Sequence, residues 1–380
     1  MSPTDNLFIN SCSIMRVALL GNLCNTAYTF GKVLRKEGIN VEVFITEKER
    51  TQAAAYPEWE DPEIDSKNIN WIHYYNQRNP LSLVQTMFQL RNFDIIHAFG
   101  LPNTYCQFLG RPFISHALGA DLKEVVYEPT LIGLLLKKAF RQTKNLLFSD
   151  IDHVPHIHRL ELEQSQYFPA AVDVEKYSPA SKGSYISDNK IVLFHSAFLD
   201  WTKRQPTSKR NDLFFRAFSR FADQRDDLIL RVIAAGPDTE STKKLVYELG
   251  LSKIVEFLPP LNKQELLEHY RSCDLIVDQF GMPKFGVNAL EGMACGRPVL
   301  LYLDKDLAKQ CYATLPPVGI ANGEQEIYKT LHDICDKEKL HSIGLKCRDW
   351  ILSNHNGKVV AKKLIQLYTQ IKQHSESDSL

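Results

Sequence analysis

The chain has 380 residues, 44% hydrophobic and 24% charged, with 45 Lys+Arg against 45 Asp+Glu. That length suits two globular domains, and the even balance of charge excludes an overall field that would attract nucleic acid; such a partner would need a local patch. The eight cysteines, at 12, 24, 106, 273, 295, 311, 335 and 347, form no C-x-x-C and no paired spacing, which points away from zinc or a disulfide framework and toward a reducing cytoplasm.

The opening MSPTDNLFINSCSIM has neither the basic start nor the apolar run of a secretory leader. No apolar run in the chain reaches the roughly 18 residues of a membrane span, so any membrane contact is expected to be peripheral. Strand-like runs then alternate with helical patterns: Arg16 to Gly21, Val41 to Ile45, Trp71 to Tyr75, Ile95 to Gly100, Phe113 to Ala117 and Leu146 to Ser149. This is the pattern of a parallel sheet with helices on both faces. His97 and His116 both fall at strand ends, where a histidine is either structural or part of a site. Leu131 to Lys144, LIGLLLKKAFRQTK, sets an apolar block against Lys137, Lys138, Arg141 and Lys144. It reads as a core helix with a solvated basic end, and is also the best candidate for peripheral membrane contact. In SDIDHVPHIH, Asp150, Asp152, His153, His156 and His158 suggest a metal, but without a recognised ligand spacing, and no metal site is assigned.

The polar stretch Ser178 to Asn189 marks a boundary, giving an N-terminal domain 1–182 and a C-terminal domain 183–380 whose last helix is a candidate to pack back on the first. The rhythm restarts at Ile191 to His195 and continues through Leu228 to Ala235, Val255 to Leu258, Leu275 to Asp278, Val299 to Leu303 and Val318 to Ala321. The fold class is thus α/β, two doubly wound Rossmann-like domains facing across a cleft, with ligands beyond the carboxyl ends of the strands.

Three features of the second domain sit where a strand gives way to a helix. WTKRQPTSKR, residues 201–210, places Lys203, Arg204, Lys209 and Arg210 before a helix that starts near Asn211, an arrangement that suits a phosphate or is simply a solvated basic loop. Gly236 makes a tight turn after a strand. FGVNALEGMACGRPVLLY, residues 285–302, reads as loop, helix and strand, with Gly286 opening the helix and Gly296 closing it. Val287, Leu290 and Ala294 mark the inward stripe of that helix, and the remaining position of the stripe is Glu291. A carboxylate so placed needs dedicated partners in the protein or a ligand that supplies them.

The segment beginning Phe285-Gly286 and running through LEGMACGRPV resembles the donor-site signature of retaining GT-B glycosyltransferases of family 4, E-G-F-G-x-x-x-L-E-A-M-A-x-G-x-P-V. KRNDLFFRAFSRF, LRVIAAGPD and LGLSKIVEFLPPLNKQELLEHYRSCDLIV are similar to the segments that precede it in that family. LLGNLCNTAYTFGKVLRKEGINVEVF resembles the family's first strand, glycine loop and helix, and YFPAAVDVEKYSP its interdomain motif.

The resemblance implies that Glu291 takes the ribose hydroxyls of a nucleoside diphosphate sugar and that Lys209 neutralises the diphosphate. It further implies that Gly286 and the amides of Val287 and Asn288 help to hold the donor, that Gly21 lies against the diphosphate from the other domain, and that His116 lines the site near the reacting sugar, with His97 in reserve. Two departures stand out. The signature's first glutamate is Pro283 here, followed by Lys284, leaving Asp278 as the nearest carboxylate; the family arginine after the first strand is absent from HSAFLDW, leaving Lys203 or Arg204 to replace it. The expected activity is metal-independent, cofactor-free transfer of a sugar from a UDP- or GDP-linked donor to a glycan, lipid-linked or small-molecule acceptor. The alternatives are epimerisation or hydrolysis of a sugar nucleotide, or nucleotide binding without catalysis.

Overall fold

The structure, a computed structural model, describes residues 15–47, 56–111, 113–143, 145–180, 190–203, 205 and 207–377. It divides into two units, 1–171 with 357–380, and 172–356.

Unit 1 is built on a seven-stranded parallel sheet ordered β3-β2-β1-β4-β5-β6-β7. The strands are β1 (Arg16–Leu20), β2 (Asn40–Thr46), β3 (Ile72–Tyr75), β4 (Ile95–Phe99), β5 (Phe113–Ala117), β6 (Leu146–Phe148) and β7 (Ser165–Tyr167). Six match the runs read from the sequence. The seventh, Ser-Gln-Tyr, lies at the edge of the sheet, with Gln166 exposed and its neighbours half-buried, and so carries no apolar run. The central strands are apolar on both sides because both faces are covered.

On one face α1 (Thr26–Lys36) contributes Ala27, Phe30 and Leu34, and the C-terminal helix α11 (Gly357–Ser377) contributes Val360, Leu364 and Tyr368 to the same core. On the other, α2 (Pro80–Leu90) and α3 (Asn103–Cys106) share a core with Leu20, Phe44 and Ile96. The helix α4 (Leu131–Gln142) packs on α3, with the Gln107 amide donating to the Leu135 carbonyl at 3.1 Å. No helix among the described residues is long and apolar enough to cross a membrane.

Unit 2 carries a six-stranded parallel sheet ordered β10-β9-β8-β11-β12-β13. Its strands are β8 (Ile191–His195), β9 (Leu228–Ile233), β10 (Val255–Leu258), β11 (Leu275–Val277), β12 (Val299–Leu301) and β13 (Gly319–Ile320), all within or beside the runs expected. The helix α5 (Asn211–Ala222) turns Phe214, Phe215, Phe218 and Phe221 into a core shared with α6 (Thr239–Glu248) and α9 (Glu324–Ile334). The helices α7 (Lys263–Ser272), α8 (Val287–Ala294) and α10 (Lys337–Asn354) form a second group, with α8 in contact with both others.

Arginines satisfy the carbonyls that helix ends leave without partners. Arg297 donates to the Tyr270 and Arg271 carbonyls at the end of α7, and Arg348 donates to the Ala294 carbonyl at the end of α8. Gly344 of α10 lies so close to α8 that a Cβ there would stand 2.1 Å from the Gly296 carbonyl oxygen. Gly344→Ala is therefore expected to force the two helices apart and cost about 1–3 kcal/mol in urea unfolding; an unchanged midpoint would show that α10 shifts freely.

Candidate functional site

In both sheets the strand order reverses once, between β1 and β4 and between β8 and β11. Connections leaving such a pair of strands go to opposite faces, which opens a crevice at the strands' carboxyl ends. In unit 2 this place holds four of the residues singled out from the sequence, Lys209, Asp278, Gly286 and Asn288. Ser196 follows β8, and its carbonyl accepts a 2.9 Å hydrogen bond from the Asn288 amide of α8. Asp278 follows β11 and accepts the Gly286 N–H at 2.7 Å. A Cβ at Gly286 would stand 2.8 Å from the Asp278 carboxylate, so a larger residue there would have to displace it. Burial raises the Asp278 pKa; Lys209, the Gly286 amide and Lys284 only partly offset it.

Lys209 lies at the same place. Its amide donates to the Asp200 carbonyl at 2.7 Å, its carbonyl accepts the Phe280 amide at 2.9 Å, and its Nζ donates to Gln279 at 3.0 Å. The chain turns into α5 through Arg210, at φ 52. Asn211 then ties the preceding loop to β8, accepting the Asp200 amide at 3.0 Å and meeting His195 Nε2 at 3.2 Å.

The other expected residues are more peripheral. Beside them Asp238, which the sequence reading did not single out, accepts the Trp201 and Thr202 amides and the Thr202 hydroxyl, which fixes the start of the basic loop. Burial pushes the Asp238 carboxyl up, but these bonds and Lys203 outweigh it and its pKa is lowered. Gly236, at φ +135, packs against the Leu199 backbone, where a Cβ would stand 2.3 Å from the carbonyl oxygen. Lys203 is exposed, and Arg204 lies outside the described residues. Phe285 is half-buried with its ring 5.8 Å from that of Trp350. Val287 corrects the reading of the helix: it is 51% exposed at the first turn, and the inward stripe consists of Leu290, Glu291 and Ala294.

Glu291 has partners inside the protein. Its Oε1 meets the Lys263 ammonium and its Oε2 accepts the Tyr270 hydroxyl at 3.2 Å, all three side chains being buried. Sequence reasoning missed both partners, although a signal was present. Lys263, Leu266, Leu267 and Tyr270 fall at i, i+3, i+4 and i+7, so a lysine occupies the inward stripe of α7 just as a glutamate occupies that of α8.

In unit 1, Gly21 ends β1 at φ +92, its amide on the Phe44 carbonyl and its Cα against Phe99, where a Cβ would stand 2.7 Å from the carbonyl oxygen. His116 and His97 are wholly buried and joined. The Ser149 hydroxyl donates to the Phe168 carbonyl at 2.8 Å, so its oxygen must accept from His116 Nε2, 2.7 Å away. His116 Nδ1 then accepts from His97 Nε2 at 3.0 Å, and His97 Nδ1 accepts from the Tyr368 hydroxyl at 2.7 Å. Every hydrogen bond points the same way and both imidazoles are neutral. Burial holds the His97 pKa well below its ordinary value and the His116 pKa at about 3. Both ring nitrogens of His116 are engaged, Phe30, Phe99 and Phe168 surround it, and it is linked to Tyr368 of α11 only through His97.

Asp150, Asp152 and His153 offer ligand atoms within 4.8 Å of one another, with Asp152 also on Lys123 at 2.8 Å. His156 meets the Tyr127 hydroxyl at 3.0 Å and His158 is exposed, so the histidines of this segment do not converge.

Two outcomes are expected. Glu291→Ala leaves a buried lysine without its anion and should cost about 3–5 kcal/mol in urea unfolding, while Lys263→Met with Glu291→Leu should recover much of that loss. Equal losses in the single and double variants would refute this coupling. Burial also lowers the His195 pKa, to about 4. Folded-state pKa values depressed below the unfolded value of about 6.5 mean that stability is full above that pH and falls as acid protonates the unfolded chain first, by up to about 1.4 kcal/mol per pH unit for each histidine. Urea midpoints should therefore fall from pH 7 to pH 5; a flat profile would show that the histidines charge in place.

The profile of the family described as "Glycosyl transferases group 1" matches residues 188–309, within unit 2. Relatives include a D-inositol 3-phosphate glycosyltransferase of Mycobacterium sp. (strain KMS), 34% identical over 193 residues, 49% of this chain and 40% of that protein. Another of the same name, from Mycolicibacterium smegmatis, is 28% identical over 192 residues, 47% of this chain and 39% of its own length. The chain thus spans about two fifths of the length of the curated relatives it matches. Among solved structures, Anabaena HepE in complex with UDP superposes with a TM-score of 0.69 at 12% identity, covering 94% of this chain and 100% of that one. Sucrose-phosphate synthase from Thermosynechococcus elongatus gives 0.65 at 14%, covering 94% and 99%. The chain therefore has the GT-B fold of two Rossmann-like domains, and its residues 188–309 match the glycosyl transferases group 1 family.

Proposed function

We propose that the protein is a retaining glycosyltransferase that moves a sugar from a UDP- or GDP-linked donor to a glycan, lipid-linked or small-molecule acceptor. The observation that carries this reading is the convergence of Lys209, Asp278, the Gly286 turn and Asn288 at the reversal between β8 and β11. A cation beside the start of a helix suits a diphosphate, and the charge it would meet grows as the glycosidic bond breaks, so in this reading Lys209 contributes most in the transition state. In this reading Lys203 adds positive charge from the neighbouring loop, and no metal is needed. In the same reading Glu291, beside Lys263 and Tyr270, takes a ribose hydroxyl. The UDP and UDP-glucose held by Anabaena HepE support a uridine donor. Retention follows if the acceptor hydroxyl attacks on the face that the diphosphate leaves, the leaving phosphate accepting its proton.

A second reading, nucleotide binding without transfer, is favoured by Pro283 in place of the signature glutamate and by the commitment of Asp278 to the Gly286 amide. Calorimetry with UDP and GDP, followed by assay of UDP release from UDP-glucose with and without acceptors, separates the two. Wild type should bind one nucleotide, and Lys209→Ala should weaken it about 10- to 100-fold, the worth of a charge-assisted hydrogen bond, with folding unchanged. If neither nucleotide binds the folded wild type, the donor-site assignment fails; binding without turnover leaves the second reading.

A further inference from the structure

One face of unit 1 turns apolar side chains outward. The helix α2 uses Leu83, Met87 and Leu90 for the core, and a second stripe, Leu81, Val84 and Phe88, faces solvent, with Leu81 74% and Phe88 62% exposed. On α4 the inward residues are Leu136, Ala139 and Phe140, while Leu131 and Leu134 are 71% and 62% exposed. Phe108, after α3, is exposed between them in sequence, with the Lys138 ammonium 6.0 Å from its ring centroid. The three helices form one layer, because α2 and α3 share a core beneath the sheet and α4 packs on α3. A surface helix normally reserves its outer side for polar groups, so two apolar outer stripes in one layer point to a partner.

The charge in this layer is segregated. Residues 66–93, 95–120 and 129–149 contain no aspartate or glutamate, in a chain whose acidic and basic residues are equal in number. Arg78 and Arg91 flank α2, with Arg91 5.2 Å from the Phe88 ring centroid, and Lys138 and Arg141 continue the outer side of α4. Glu124 and Glu128, just before α4, are exposed carboxylates, and Asp94, after α2, is paired with Lys372 at 3.4 Å. Apolar side chains that project between cations match a bilayer surface, where leucine and phenylalanine enter the acyl boundary and lysine and arginine meet anionic headgroups. A nucleic acid would satisfy the cations and leave the leucines in water.

We propose that the outer layer formed by α2, α3 and α4 of unit 1 docks peripherally on an anionic lipid bilayer. The residues concerned belong to no part of the donor site, so the proposal is independent of the transfer reaction. The full chain is floated with vesicles of phosphatidylcholine alone and of phosphatidylcholine mixed with phosphatidylglycerol. It should rise with the mixed vesicles and less so with added salt. Lys138→Ala with Arg141→Ala should weaken binding about 30-fold, at roughly fivefold per cation. Leu131→Ser with Leu134→Ser, and separately Leu81→Ser with Phe88→Ser, should also release it, with circular dichroism and UDP binding unchanged, since these positions are exposed. The proposal is overturned if the wild type ignores both vesicle types or if the variants bind as well as the wild type. Two other results overturn it equally: retention of an oligonucleotide in place of vesicles, or self-association abolished by the leucine substitutions.

Discussion

The structure depends on one topological constraint, the right-handedness of parallel crossovers. Because that hand is fixed, a sheet that grows outward from its first strand in both directions must place its two sets of helices on opposite faces, and the crevice between them opens at a predetermined place. In unit 2 this place is between β8 and β11, and everything nearby is fitted to it. Gly286 admits the Asp278 carboxylate, Asn288 reaches back to the Ser196 carbonyl, and the Lys209 backbone is clipped to Asp200 and Phe280. The sheet determines where a ligand can bind, and the side chains determine its charge.

Two buried polar arrangements show different solutions to the same cost. In unit 2 a full ion pair, Lys263 with Glu291, is taken out of water and completed by the Tyr270 hydroxyl. In unit 1 the chain from Tyr368 to the Phe168 carbonyl carries no charge, and its four hydrogen bonds are ordered by a single terminal acceptor. The first arrangement tolerates the loss of both charges better than the loss of one, whereas the second is sensitive to a single added proton.

Much of the fold was legible because the strands are apolar on both faces and separated by periodic helices. Twelve of the thirteen strands coincide with runs read in advance, and the exception, Ser165–Tyr167, lies at an edge where nothing needs to be apolar. The site was legible where the signal is local, as in the glycine at 286 and the carboxylate at 291. It was not legible where the partner is remote: Lys263 lies 28 residues from Glu291, and Tyr368 lies 271 from His97. The exposure of Val287 was missed because a helix's first turn need not obey its inward stripe. His116 was singled out for chemistry, and its surroundings of Phe30, Phe99 and Phe168 were visible only once the strands were paired.

The contribution of α11 to unit 1 bears on how the chain is made. Val360, Ala361, Leu364 and Tyr368 complete a core whose other buried members lie before residue 172, so unit 1 cannot close until α11, which is synthesised after unit 2, has emerged. Unit 2 is continuous and can fold as soon as it leaves the ribosome, whereas unit 1 waits with α1 and one side of its sheet uncovered. The entropy of closing so long a loop grows only with the logarithm of its length, so the delay is one of time more than of stability. Unit 2 can therefore be complete before unit 1, and during that interval the faces of α1 and β4 that α11 covers stay exposed.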